Sequence, residues 1–530
     1  MLFLFGATCV VLLILCANLT NLVLVRDAKR EQEIAVRLAL GAGRMRLLRQ
    51  WLTEALLLSV IGALAGLIVA SWVKIALISF MPPDYRVNLS TTLGWRLVSF
   101  TLLVSLLLGL GLGLAPAWRA ARTSLSPAMR GESRTFVSGG GLFSLRSLLI
   151  LVQVALCLPL LIVSALFLDS LQELRGVDAG FSRNNVLVAT VNPSLNGYRV
   201  EQSRGFYRDL LLRLRSIPGV ESASLSSDSP ISGEWDQLRV VVEGYQPDEG
   251  ERMTAQSTLV SPDYFRSLAI TLVAGREFNE TDAASSPDVA IVNEKFAHHY
   301  FGNANPIGKK IGTDKVPDTT IVGVVRDAQY MSLRKPPTQH FYQPISQQPN
   351  LFDLTMHVRI TGEPLALVDM VRAEVRNLDP HLPLYNVKTL ATQIDESLTQ
   401  ERVLSWLCTA FGVLATLLAA LGLYGVLAFS VAQRTREIGI RLALGAQARD
   451  VFKMVIGQGM LVVLIGAALG VGASLVVTRV IASLLFGVTP TNATTFIVAA
   501  FGVAFISLIA CYVPARRAKR VDPLVALRYE

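Results

Sequence analysis

The sequence predicts an α-helical polytopic membrane protein with about seven spans and a large α+β domain outside the bilayer. Three observations carry that expectation. Apolar residues make up 52% of the 530-residue chain and gather in runs long enough to cross roughly 30 Å of hydrocarbon as helix. Lys and Arg concentrate at alternate connections between those runs. Residues 169–403 lose the apolar runs altogether.

The predicted spans are residues 1–25, 53–80, 95–117, 146–168, 404–430, 453–478 and 494–513. The first run lacks the basic start and the small-residue cleavage site of a leader, so it reads as a span. Arg26, Lys29, Arg30, Arg37, Arg44, Arg46 and Arg49 separate spans one and two. Arg119 to Arg146, Arg434 to Lys453 and Arg516 to Arg528 bound further basic connections, whereas the alternate short loops hold Arg86 and Arg479. One topology satisfies the pattern: N-terminus outside, C-terminus inside and residues 169–403 outside. The net charge of +9 therefore reports membrane topology. Aromatics do not interleave with the basic clusters, which excludes a stacking groove for nucleic acid.

A repeat organises the membrane part. Glu33-Ile-Ala-Val-Arg37-Leu-Ala-Leu-Gly41-Ala recurs 404 residues later as Glu437-Ile-Gly-Ile-Arg441-Leu-Ala-Leu-Gly445-Ala. Each copy reads as a short helix at the cytoplasmic surface. Its acid and base form an i,i+4 pair in the favourable order, and its glycine takes the left-handed conformation that ends a helix. Such a helix either rests on lipid headgroups or docks a cytoplasmic partner. Gly62/Gly66 and Gly466/Gly470 share the same offset and place small residues one turn apart, a pattern for close helix packing in lipid. Gln153 in span four is suited to an interhelical hydrogen bond. The spans hold no ladder of acids, bases or histidines of the kind a proton relay uses.

The exterior segment mixes strand and helix signals. Strands are expected at 185–191, 237–242, 288–292, 320–325 and 354–360. Helices are expected at 201–217, ending at Pro218-Gly219, and at 364–378, before Asp379-Pro380. The pattern suggests an α+β domain in one or two lobes. Cys9, Cys16, Cys157, Cys408 and Cys511 all lie in or beside apolar runs, leaving the exterior segment without a disulfide or thiolate site. His298, His299, His340, His357 and His381 lack the compact spacing of a metal site. Gly302-Asn-Ala-Asn-Pro-Ile-Gly308-Lys309-Lys310 imitates a phosphate loop. It has one residue too many between its glycines and no Ser or Thr after the first lysine.

Together these features resemble the FtsX-like permease family in its MacB-like branch, and the duplicated length pattern resembles the orphan permeases of acidobacteria. The residues that carry the resemblance are Arg434-Thr-Arg-Glu437-Ile-Gly-Ile-Arg441-Leu-Ala-Leu-Gly445-Ala and Pro514-Ala-Arg-Arg-Ala-Lys-Arg-Val-Asp522-Pro523-Leu-Val-Ala-Leu-Arg528. Gln153-Val-Ala onward to Phe181 and the Asn-Pro-Ile-Gly-Lys run ending at Lys309 add to it. The first copy has Ser126 before Pro127 where the second has Asp522, a mild departure.

The resemblance implies a partial FtsX-like permease domain of three spans at 1–130 and a cytoplasmic linker at 131–145. A span at 146–168, a MacB-like periplasmic core domain at 169–403 and a second FtsX-like permease domain of three spans at 404–530 follow. Against a duplicated relative, residues 1–130 match only the last three spans of an earlier unit, which reads as N-terminal truncation. The implied setting is the bacterial inner membrane, multi-pass, with residues 169–403 in the periplasm. The implied function is that of an ABC transporter permease subunit. It transmits work from separate cytoplasmic ABC ATPase subunits, two of them, to the periplasmic domain, for export or efflux. The alternative is a non-transport signalling or scaffold protein regulating a periplasmic partner. No catalytic, cofactor or metal site is expected in the chain itself, ATP being used by the partner. Remaining contacts are with membrane lipid and a periplasmic cargo or envelope protein, not nucleic acid. Glu33, Arg37, Gly41, Glu437, Arg441 and Gly445 are the expected ATPase-coupling residues. Gly62, Gly66, Gly466 and Gly470 are the expected helix-packing residues.

Overall fold

The structure is a computed structural model that describes residues 2–39, 44–79, 94–122, 145–233, 236–313, 316–349 and 353–519. The expected linker at 131–145 and the terminal motif around Asp522 lie almost wholly outside these residues. The chain divides into two compact units, Met1–Glu173 with Glu401–Glu530, and Leu174–Gln400.

The first four described helices are α1 (Leu2–Ala39), α2 (Arg44–Ser79), α3 (Trp95–Arg122) and α4 (Leu145–Gly176). Inside a bilayer no water satisfies exposed N–H and C=O groups, so apolar runs of this length close their hydrogen bonds as helix. α2 packs along α3 at the point where a Cβ on Gly109 would overlap the Ser59 hydroxyl. The opposite side of α2 turns Ile61, Leu64, Ile68 and Trp72 outward, as a lipid-facing surface does.

The second unit follows. Its elements are β1 (Val186–Val191), α5 (Val200–Ser216), β2 (Val220–Ser226), β3 (Asp236–Arg239), β4 (Val241–Val242), β5 (Thr254–Val260) and α6 (Tyr264–Leu268). Next come β6 (Leu272–Gly275), β7 (Val289–Asn293), α7 (Glu294–Phe301), β8 (Lys310–Gly312), β9 (Thr319–Val325) and β10 (His340–Pro344). β11 (Leu354–Ile360), α8 (Val368–Leu378), β12 (Tyr385–Thr389) and α9 (Leu390–Ser397) complete it. The expected helix at 364–378 is a 3-10 turn over Pro364–Leu367 leading into α8, because Pro364 sets the first turn.

The described strands form one mixed sheet in the order β12-β1-β11-β2-β5-β10-β7-β9-β8-β4, with β3 on β5 and β6 on β9. Two cores lie along it. Phe206, Leu210 and Leu214 of α5 and Val371 and Val375 of α8 cover β1, β2 and β11. Phe296 and Tyr300 of α7 pack with Ala290, Val292, Ile321 and Phe341 from β7, β9 and β10. The Asn-Pro-Ile-Gly-Lys segment makes the turn between α7 and β8. Asn305 accepts from the Ile307 N–H, and the Gly308 N–H, at φ +83, donates to Ile321 O.

A seam separates the lobes. β2 meets β5 in register at Ser226↔Val260, and serine side chains continue the ladder. Ser261 Oγ accepts from the Leu225 N–H at 2.8 Å, and Ser227 Oγ from the Leu259 N–H at 3.0 Å. Behind the seam His357 contacts Ser226 Oγ through Nε2 at 2.8 Å, and His340 contacts Thr258 Oγ1 at 2.9 Å. The Tyr264 and Tyr330 hydroxyls join them at 2.6 Å. The His340 ring stacks on Tyr342 with centroids 4.3 Å apart.

The start of this unit is pinned by backbone geometry. Gly180 has φ +77, its N–H bonds Asp178 Oδ1 at 3.0 Å, and the Gln329 N–H donates to Ala179 O at 2.9 Å. A Cβ at Gly180 would overlap the Asp327 carbonyl oxygen. Gly180→Ala combines left-handed strain with a backbone clash. Urea unfolding of residues 174–400 is expected to show a loss of about 3 kcal/mol. A change within experimental error would mean that this turn does not hold the chain.

Back in the first unit, α10 (Thr399–Gln433), α11 (Thr435–Ala443), α12 (Ala448–Val480) and α13 (Ala493–Ala518) complete the chain. α12 pairs with α13. Ile14 of α1, Val154, Leu158 and Leu166 of α4, Ala415 of α10 and Val463 of α12 share one core. Six described helices hold apolar stretches of spanning length, and α3 holds a shorter one over Trp95–Gly111. These match the seven predicted runs in order.

Candidate cytoplasmic coupling site

The second copy of the repeat becomes α11, set off from α10 at Arg434. Thr435 follows the break, and its hydroxyl donates to Val431 O and Ala432 O, at 3.1 and 2.9 Å. The other end closes as a Schellman turn, with Ala446 N donating to Arg441 O at 2.9 Å and Gly445 N to Leu442 O at 3.2 Å. Gly445 sits at φ +98, a conformation that favours glycine. The Asp450 carboxylate then accepts from the Gln447 N–H at 3.2 Å at the start of α12. α11 is therefore held at both ends by short, directional contacts.

One face of α11 is buried. Ile438 is 2% exposed and packs with Val451 and Val455 of α12 and with Ala515 and Ala518 of α13; Val431 of α10 and Leu442 join them. The buried face thus contacts three helices of spanning length. The other face is open. Arg441 Nη2 pairs with Glu437 Oε1 at 2.6 Å, with both side chains about half exposed, and Arg441 Nη1 lies 3.0 Å from the Met454 sulfur. Beside this pair Ile440 is 41% and Leu444 83% exposed. An apolar pair one turn apart next to an ion pair suits a protein contact better than bulk water.

The first copy differs. Its backbone over 33–39 is the continuation of α1, not a separate short helix. At the position of Thr435 it has Glu31, a residue of high helix propensity. The side chains of Glu33 and Arg37, and the whole of Gly41, lie outside the described residues.

The four expected packing glycines also separate. A Cβ at Gly466 would stand 3.0 Å from both Leu151 O and Val154 Cβ, and at Gly470 2.9 Å from Leu158 Cβ. Both therefore admit α4 closely against α12. At Gly62 and Gly66 a Cβ would meet nothing within 4 Å, so among the described residues no helix plays the part of α4 there. Gln153 of α4 donates to Ile14 O of α1 at 3.3 Å, an interhelical bond. The sequence pattern placed Ile438 with Leu442 on an apolar stripe of this helix but did not single out Thr435 or Asn18. Only the 404-residue offset, read position by position, could have marked them.

Comparison with known proteins now adds to this geometry. The profile of the family described as FtsX-like permease C-terminal matches residues 5–125 and 409–523. That of the MacB-like periplasmic core domain matches 147–378. The chain is 29% identical over 284 residues to a macrolide export ATP-binding/permease protein, MacB 2, of Aeromonas hydrophila, covering 51% of this chain and 43% of that protein. It is 27% identical over 287 residues to a probable syringafactin export ATP-binding/permease protein of Pseudomonas syringae pv. tomato, covering 52% and 42%. The chain thus aligns with less than half the length of these curated relatives. Among solved structures, the periplasmic region of MacB from Actinobacillus actinomycetemcomitans is similar at 18% identity and a TM-score of 0.28, covering 42% of this chain and 95% of that one.

Proposed function

The chain belongs to the FtsX-like permeases that carry a MacB-like periplasmic core, and from that premise we propose that it is the membrane half of an ABC exporter. On this reading two separate cytoplasmic ABC ATPase subunits dock on the chain, and ATP is bound and hydrolysed by them. Their closure is transmitted through the spans to the periplasmic segment, which moves cargo taken from the periplasm. The observation that supports it best is the two-faced build of α11. Its buried face packs against α10, α12 and α13, while Leu444 and the Glu437–Arg441 pair stand free. The relatives named for macrolide and syringafactin export make those two compounds the first cargoes to try.

The test is purification from native membranes with identification of the bound ATPase, followed by reconstitution in proteoliposomes. ATP hydrolysis that rises with cargo and is accompanied by cargo movement supports export. Hydrolysis that instead activates a bound periplasmic enzyme, with no cargo moved, would replace export by signalling. Absence of any nucleotide-hydrolysing partner would overturn both.

A further inference from the structure

The two copies of the membrane repeat differ at one buried position where they meet. Asn18 of α1 and Gly422 of α10 occupy the same place under the 404-residue offset, as do Asn21 and Gly425. Asn18 Nδ2 donates to Leu418 O of α10 at 2.6 Å, and a Cβ on Gly422 would overlap Asn18 Oδ1 and stand 2.7 Å from Gln153 Oε1. Asn18, Asn21 and Gln153 are 8%, 3% and 0% exposed. Among the described residues Gln153 Oε1 and both polar atoms of the Asn21 amide make no hydrogen bond. Carboxamides are expensive at this depth, and apolar burial does not favour one helix partner over another in lipid, so packing and polar contacts choose the partner.

We propose that Asn18, seated over Gly422 beside Gln153, commits the first permease segment to the second segment of the same chain, so that one chain supplies both halves of the membrane unit. Pairing of two second segments would set Gly422 against Gly422, leaving a void and the Leu418 carbonyl without its side-chain donor. Pairing of two first segments would set Asn18 against Asn18 with no glycine to receive either. The mixed pairing alone fills the slot and makes the bond. Specificity of this kind needs the wrong pairings to be worse as well as the right one good.

The experiment uses the full chain in nanodiscs, with two differently tagged copies co-expressed. Wild type is expected to purify with a single tag and the mass of one chain. Gly422→Ala should lower the thermal unfolding midpoint by several degrees and lose most of that effect in the Asn18→Gly, Gln153→Ala background, a non-additivity that marks direct contact. Where Gly422→Ala fails to insert, Asn18→Gly alone, which only removes atoms, should raise the fraction of mixed-tag complexes. Equal co-purification of both tags in wild type would overturn the proposal. So would a Gly422→Ala effect of the same size in both backgrounds, or an Asn18→Gly chain that stays single-tagged.

Discussion

Acidification from pH 7 to pH 5 is expected to remove about 4 kcal/mol from the stability of residues 174–400. His340 and His357 are enclosed at the seam, and burial holds both down to about 3, against about 6.5 in an unfolded chain. Below pH 6.5 the unfolded state takes up two protons that the folded state refuses, so stability falls with pH down to about 3. Each histidine contributes about 1.4 kcal/mol per pH unit across that window. Carboxylates act lower. Arg276 holds Asp282 below its usual range, so its contribution is lost only as pH falls further. Burial raises Glu277 and Asp327, which resist acid instead. The neighbouring tyrosines Tyr264, Tyr330 and Tyr342 are pushed upward by burial and stay neutral throughout. Chemical denaturation of this unit at pH 7 and pH 5 measures the effect, and a His340→Gln, His357→Gln variant should flatten it. An unchanged denaturation midpoint between the two pH values in the parent would show that water reaches these rings.

The seam also explains what the sequence concealed. The spans were legible because hydrocarbon demands a long apolar run and basic residues mark its cytoplasmic ends. Val186–Val191 was legible because all its residues are buried and it reads as a nearly unbroken apolar strand. β2 reads Val-Glu-Ser-Ala-Ser-Leu-Ser and β5 Thr-Ala-Gln-Ser-Thr-Leu-Val, and neither shows that pattern. Both are mostly buried nonetheless, because Ser226, Ser227, Thr258 and Ser261 bond histidine rings and backbone N–H groups at the joint between lobes. No periodicity rule finds a strand stabilised that way.

The repeated segment that forms α11 was legible for a different reason. Its charged pair and glycine repeat at a fixed offset, and i,i+4 spacing with a glycine stop has a local meaning that survives folding. What surrounds it was not legible. That one copy is a separate helix while the other continues α1 is not visible in the shared motif. That Gly466 is pressed by α4 while Gly62 is open depends on which helix lies alongside. The fit of Asn18 to Gly422 likewise requires knowing that α1 meets α10, information carried by packing and not by either segment alone.

Arg441→Glu is expected to abolish coupled ATP hydrolysis and weaken ATPase association by at least about 30-fold while leaving the chain inserted and folded. The two expectations separate because the Glu437–Arg441 pair is half exposed. A surface i,i+4 pair is worth a few tenths of a kcal/mol, and the repulsion that replaces it costs about as much. Ile438 and the Gly445 turn keep α11 in place whatever the charge at 441. At a docked interface the guanidinium would be shielded from water against the partner, and reversing a buried charge there costs roughly 2–5 kcal/mol. The double reversal Glu437→Arg, Arg441→Glu restores the pair within the helix but presents the charges to the partner in the wrong order. Both variants should therefore lose association, measured by co-purification and by ATP hydrolysis in nanodiscs. Recovery in the double variant alone would make Arg441 a support for its own helix. Full association in the single variant would remove α11 from the contact altogether.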